Sequence, residues 1–189
     1  MLLLWSLLIK PYSTLFSGVR LYTFIWTMYN MISASTISST RVMIADRPNP
    51  LGGNTVEGPL LNSTCCSSGY GLFPITHIHG MTIGELALLF NSLFNVQMTV
   101  IQTKNWRRNM IWAEEGLGLE NTLISRSGVA SNVSYPPWIP PSPNIPTTRT
   151  ALAYGATCFL EATTASEGRG ILIYSYTHTL IHSYTRYLC

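Results

Sequence analysis

The order of apolar and polar positions divides the chain into alternating helical and extended segments. Over residues 21–40 the apolar side chains Leu21, Ile25, Met28 and Ile32 recur at three- and four-residue intervals, the spacing of one helix face. The second half of that window, Ser33-Ala-Ser-Thr-Ile-Ser-Ser-Thr40, is too polar for a bilayer interior, so the pattern predicts an amphipathic helix packed on a core. Arg41-Val-Met-Ile-Ala45 is a short β-branched, apolar run that ends at Asp46. It predicts a buried strand feeding the turn-rich Arg47-Pro-Asn-Pro-Leu-Gly-Gly53. Farther on, Ile83, Leu86, Phe90 and Leu93 repeat the helical spacing, and Thr82 and Glu85 stand where a capping box would have each side chain bond the other residue's amide. Gln97-Met-Thr-Val-Ile-Gln102 predicts a second strand. Helix, strand, loop, helix, strand is the alternation of an α/β sheet with parallel strands.

Beyond Lys104 the periodicity fades. Residues 116–134 are polar and glycine-bearing with no clear period, and are expected to form a loop insertion. Tyr135-Pro-Pro-Trp-Ile-Pro-Pro-Ser-Pro-Asn-Ile-Pro146 holds six prolines in twelve residues, which excludes helix interior and central strand and predicts an extended, rigid loop. Residues 147–161 suit a helix with Thr147 as its cap, and Ser166-Glu-Gly-Arg-Gly170 suits a flexible loop. The tail, residues 171–189, is a near-repetitive Tyr/Thr/His/Ser run unlike a core-building segment.

Composition narrows the function. Of 189 residues 47% are hydrophobic and only 10% charged, which excludes a strongly charged disordered chain. The net charge of +3 is carried without clusters, so no basic stripe tracks a nucleic-acid backbone. The opening Met-Leu-Leu-Leu-Trp-Ser-Leu-Leu-Ile9 is about half the ~20 residues needed to span hydrocarbon and lacks a basic n-region and a small-residue cleavage site, so neither a stable membrane span nor a convincing signal peptide is expected. The four cysteines fit neither a disulfide framework nor a Cys-x-x-Cys metal site, and the adjacent Cys65 and Cys66 read as structural or incidental. Gly-x-Ser-x-Gly, Walker and Gly-x-Gly-x-x-Gly motifs do not occur, which removes support for serine hydrolase, nucleotidase and dinucleotide-binding readings.

With eight acidic residues in all, acid–base chemistry has few places to sit. In an open parallel sheet the ligand crevice lies beyond the carboxyl ends of the strands. Asp46 ends a strand, where it can pair with Arg47, cap loop amides or take part in chemistry. Glu57, in Val56-Glu-Gly-Pro59, is placed to face a bound substrate or to remain a solvated loop carboxylate. Glu85 is accounted for by its capping box. His77-Ile-His79 puts two histidines on one strand face with no third ligand nearby, so no metal is expected. His79, next to Gly80 and a helix start, is the better partner for a substrate or a carboxylate. Glu167 and Arg169, flanked by glycines, suit a polar ligand.

Several strings together carry a family resemblance: Gly18-Val-Arg-Leu-Tyr-Thr-Phe-Ile-Trp-Thr-Met28, Asp46-Arg-Pro-Asn-Pro-Leu-Gly-Gly53 with Val56-Glu-Gly-Pro59, His79-Gly-Met-Thr-Ile-Gly-Glu-Leu-Ala87, Pro140-Pro-Ser-Pro-Asn-Ile-Pro146 and Ser166-Glu-Gly-Arg-Gly170. In content and order they resemble the NamZ-type exo-β-N-acetylmuramidases, long catalogued as a domain of unknown function. The resemblance implies an α/β fold, here a partial Rossmann-like parallel sheet with flanking helices, long Pro-rich and Gly-rich loops and irregular termini. It implies a glycoside hydrolase that removes N-acetylmuramic acid from the non-reducing end of peptidoglycan fragments, without a cofactor or metal. Carried over by motif, Glu57 is one of two catalytic glutamates. Asp46, Arg47, Asn49, His79, Asn144, Glu167 and Arg169 line or shape the pocket, with Arg side chains suited to the lactyl carboxylate of muramic acid.

The departures are as specific as the matches. The resemblance covers residues 18–170, with an insertion near 118–136, so residues 1–17 are expected to be a non-homologous apolar leader and 171–189 a non-homologous tail. The family's Gly-Pro-Glu-His-Gly loop, which carries the other catalytic glutamate, is absent from the sequence, and Leu160-Glu-Ala-Thr-Thr164 stands for Phe-Glu-Gly-Thr-Asn. The expectation is an incomplete member of the family. Three readings stay open: a hydrolase, a protein that binds amino sugars without turnover, and a non-functional fragment whose truncated sheet leaves an edge exposed.

Overall fold

The computed structural model of the chain describes residues 2–4, 16–112, 122–125, 130–134, 138–162 and 164. Its elements run β1 (Leu2–Leu4), α1 (Phe24–Ser38), β2 (Arg41–Ala45), α2 (Ser63–Cys66), α3 (Ile83–Phe94), β3 (Met98–Ile101), β4 (Met110–Trp112), β5 (Thr122–Ser125), β6 (Ala130–Ser134) and α4 (Thr148–Thr157), the last followed by a 3-10 turn at Cys158–Ala162. Two sheets result. One is parallel, ordered β1-β2-β3, with Val42 opposite Met98 and Leu3 opposite Val42 in register. The other is an antiparallel meander, β4-β5-β6.

The helix–strand–helix–strand order read from the sequence is present, and β2 occupies the run expected of it. Its alternate residues Val42 and Ile44 are buried, and they pack with Ile25, Trp26, Met28 and Ile32 of α1 and Ile83, Leu86, Ala87 and Phe90 of α3 in one core. Each large side chain sealed there contributes roughly 1.5–3 kcal/mol of burial, which fastens both helices to one face of the sheet. The aromatic rings Trp26, Tyr29, Phe90 and Phe94 meet mostly edge to face, with Tyr29 5.2 Å from Phe90 and 5.1 Å from Phe94. A second core joins Val19, Leu51, Ile145, Ala151, Tyr154 and Cys158, so the N-terminal segment, the loop after β2, the proline-rich loop and α4 share one apolar centre.

Some expectations need correction. The first helix begins at Phe24, and Leu21 lies before it, packed on the second core. Leu93 is 56% exposed, because the buried stripe of α3 runs through Ile83, Ala87, Phe90 and, partly, Phe94. The expected loop at 116–134 contains β5 and β6: Thr122-Leu-Ile-Ser125 pairs antiparallel with β4 on one side and with Ala130-Ser-Asn-Val-Ser134 on the other, and the polar residues in and between these short runs hide the strand signal. Within residues 1–17, Leu2–Leu4 forms β1 and pairs parallel with β2. The helix expected over 147–161 is α4 plus the 3-10 turn, and Thr147 caps it by accepting from the Thr150 amide. Among the described residues no helix is long and apolar enough to cross a membrane. Residues 171–189 lie outside the described residues.

Candidate functional site

The loops that follow the carboxyl ends of β2 and β3 gather at one end of the parallel sheet, and local bonding explains how each is held. The Asp46 amide continues the ladder by donating to the Ile101 carbonyl, and its carboxylate Oδ1 accepts from the amides of Arg47 at 2.8 Å and Gly84 at 2.7 Å. Gly84 sits in the first turn of α3, where free amides favour a negative group. A Cβ on Gly84 would lie 2.7 Å from Val100 and 2.8 Å from Asp46, so the close approach of helix and strand end needs glycine. Thr82 and Glu85 form the expected capping box at the same helix end. Glu85 also meets Arg108, whose Nη1 donates to the Gly80 carbonyl, while the Arg108 carbonyl accepts from the Gly53 amide.

Asn49 is fully buried: its Nδ2 donates to the Met81 carbonyl and its Oδ1 accepts from Leu51, which ties the loop after β2 to the segment leading into α3. Arg47, half-buried, has its guanidinium pKa lowered by desolvation.

Glu57 stands apart from these. Its backbone exchanges two 2.9 Å hydrogen bonds with Ile78, and Val19 pairs with Ile78 from the other side, so the residue is fixed on a short three-segment ladder. Gly58 follows at φ +84°, where a Cβ would lie 2.7 Å from that of His77. The Glu57 side chain is exposed, and among the described residues its carboxylate meets no hydrogen-bond donor. Asp46 and Glu85, by contrast, are engaged with backbone amides.

The histidines are occupied differently from what the sequence pattern suggested. His79 is 3% exposed, stacks on Phe16 at 5.5 Å and accepts from the Met81 amide through Nδ1. That bond puts the neutral ring's proton on Nε2, which has no partner among the described residues. Burial, with a smaller contribution from His77, lowers the His79 pKa to about 3, so the ring is neutral near pH 7. His77 turns the other way and donates from Nε2 to the Gly155 carbonyl of α4 at 2.8 Å. Its pKa is likewise lowered by burial.

Asn144 is exposed on the proline-rich loop, with its amide bonded to Ser142 Oγ. That loop is anchored by buried Ile145 and by the Tyr22 hydroxyl, which donates to the Pro141 carbonyl at 2.8 Å; desolvation pushes the Tyr22 pKa up to about 12. Glu167 and Arg169 lie outside the described residues. Asp46, Asn49, Glu57 and His79 thus belong to one connected set of loops.

Two residues assigned no role from the sequence bear directly on this geometry. Arg20, 8% exposed, donates from Nη1 to the carbonyls of Pro59 and Ile75, closing the base of the 60–74 loop two residues past Glu57. Arg108 links the loop after β2, the His79-Gly80 turn and the start of α3. Arg20 lay in one of the family strings and Arg108 beside Trp106, but nothing in either spacing indicated that a guanidinium would bond backbone carbonyls.

An α/β fold with a parallel sheet is the architecture in which ligands are bound beyond the carboxyl ends of the strands. The chain belongs to the family described as exo-β-N-acetylmuramidase NamZ, N-terminal, which matches residues 17–122. It is similar to the peptidoglycan β-N-acetylmuramidase NamZ of Bacillus subtilis (strain 168), 41% identical over 155 residues, covering 81% of this chain and 33% of that protein. The chain therefore spans about one third of the length of that curated relative. Two crystal structures of DUF1343 family proteins from Bacteroides fragilis NCTC 9343 are also similar. One matches with a TM-score of 0.58 at 32% identity, covering 77% of this chain and 36% of that one; the other with 0.60 at 30%, covering 76% and 33%.

Proposed function

We propose that this protein acts on peptidoglycan fragments as an exo-type β-N-acetylmuramidase, with residues 18–170 as its catalytic segment and Glu57 as one of two carboxylates flanking the scissile bond. The observation that carries this reading is the position of Glu57: its backbone is locked to Ile78 while its carboxylate faces solvent. Such a group can exchange a proton with a glycosidic oxygen or a water, or approach the sugar itself, without first breaking a structural bond. Arg47, with Arg169, supplies positive charge for the lactyl carboxylate. Asp46 and Asn49 shape the pocket by holding its loops, His79 backs it as a neutral ring, and Asn144 and Glu167 contribute polar groups from the proline-rich and glycine-rich loops. No cofactor or metal is required.

The test is release of a chromogenic aglycone from an N-acetylmuramic acid glycoside. Glu57→Gln keeps the shape and removes the charge, and is expected to lower the rate by at least about a hundredfold. Turnover unchanged by that substitution would remove Glu57 from the chemistry.

A second reading has its own observation. Hydrolysis calls for two carboxylates, and among the described residues at this sheet end Glu57 alone is uncommitted. A protein that binds muramic-acid sugars without turnover fits that count. Calorimetric binding of N-acetylmuramic acid with no product formed over hours would select it.

A further inference from the structure

The mechanism leaves Cys65 and Cys66 unused, on the loop whose base Arg20 closes. They end α2, a single helical turn capped by Asn62, whose side chain accepts from the Thr64 amide and whose carbonyl accepts from the Cys66 amide at 3.0 Å. Adjacent residues on a helix normally point away from each other. Here the turn stops at Cys66, with Ser67 already extended, and the two sulfurs converge to 2.8 Å. Both cysteines are exposed. The loop around them has its own frame, with Leu61 bonded to Ile75 and Ser68 paired with Gly71.

We propose that Cys65 and Cys66 form a two-sulfur chelating site for a thiophilic centre of the trivalent arsenical type. Two sulfurs on one exposed side of a turn offer both ligands to one atom, and soft sulfur donors select soft centres. A disulfide between the same two residues is the poorer outcome. Neighbouring Cα atoms are about 3.8 Å apart, short of the roughly 4.4–6.8 Å an unstrained disulfide spans. Closing it would distort the peptide that donates to Asn62. A bridging atom lets the sulfurs stay apart and leaves that hydrogen bond intact.

The step balances without an oxidant. An arsenoxide, R–As=O, reacts with the two thiols; both arsenic–oxygen bonds break, two arsenic–sulfur bonds form, and the two thiol protons leave with the oxygen as water. Arsenic remains trivalent. The Cys66 thiol donates to the Cys65 sulfur, which raises its pKa, so Cys66 enters the condensation as the protonated thiol.

The test uses the full chain carrying Cys189→Ser, reduced, then treated with phenylarsine oxide under native conditions and read by intact mass and thiol alkylation. One phenylarsine adduct per chain is expected, with two thiols lost to alkylation. The adduct should survive excess 2-mercaptoethanol and be removed by 2,3-dimercaptopropanol. Both Cys65→Ser and Cys66→Ser should abolish it, and circular dichroism of each should match the parent because the two side chains are exposed. An adduct that persists in either serine variant, that a monothiol displaces, or that fails to form overturns the proposal.

Discussion

Arg20 shows how one side chain decides where another can work. Its guanidinium is buried, which lowers its pKa, yet its Nη1 bonds two carbonyls from opposite ends of the 60–74 loop, at 3.1 Å to Pro59 and 2.6 Å to Ile75. Its backbone is engaged as well: its amide donates to His77, and its carbonyl accepts from the Trp26 indole. Replacing it with methionine preserves volume but leaves the Pro59 carbonyl without its donor and deprives Ile75 of one of two. Hydrogen bonds from a charged donor contribute about 1.5–3 kcal/mol each, and water at the exposed Pro59 offsets part of that loss. Arg20→Met is therefore expected to destabilise the protein by about 2–4 kcal/mol in urea denaturation. Arg20→Lys should recover part of the loss, because an ammonium can reach a carbonyl but lacks the planar fork. Equal losses in both variants would mean that packing, not donation to the loop, is what Arg20 supplies.

At the scale of elements, the start of α3 is the most heavily determined point in the fold. Thr82 and Glu85 satisfy each other's amides, Asp46 satisfies Gly84, and Arg108 ties Glu85 to the Gly80 turn. Thr82→Ala removes the acceptor for the Glu85 amide and is expected to cost about 1 kcal/mol, within a range of about 0.5–2, read as a shift in urea midpoint at constant slope. A change in slope instead would show that the helix end also governs how compactly the chain folds. This capping box was legible in the sequence, as were α1, β2 and β3, because each rests on a local rule about spacing or end chemistry. Strands β5 and β6 were not legible, since antiparallel pairing joins partners whose own four or five residues carry little periodicity. Pairing of β1 with β2 was invisible for the same reason: three leucines fit a strand, a helix or a leader equally well. Glu57 was singled out by the family's Val-Glu-Gly-Pro motif, because its place in a glycine-bearing loop suits a solvated carboxylate equally well. His79 could not be read as buried, because its environment is assembled from Phe16 and Met81 rather than from its neighbours in sequence alone.

At the scale of the whole molecule, the two cores meet along the His77–His79 segment. His79 packs on Phe16 of the sheet-side core, whereas His77 reaches Gly155, Cys158 and Phe159 on the α4 side. Both rings have pKa values lowered by desolvation, that of His79 to about 3. The unfolded chain takes up protons on these rings as pH falls through about 6.5; folded His79 stays neutral down to about pH 3, and folded His77 takes up its proton at a lower pH than the unfolded chain does. The unfolded state then binds more protons, so stability is full above that pH and declines as pH drops toward 3. For His79 alone the decline amounts to about 2 kcal/mol by pH 5, and His77 adds to it with the same sign. Urea midpoints measured from pH 8 to pH 5 are expected to fall accordingly. His79→Asn keeps an acceptor for the Met81 amide in place of Nδ1 but cannot titrate, so its midpoint should fall less steeply, with His77 providing the remaining slope. Parallel curves for the two proteins would mean that His79 is charged or solvated in the folded state. Acid sensitivity would then have to come from His77 or from groups away from the junction of the two cores.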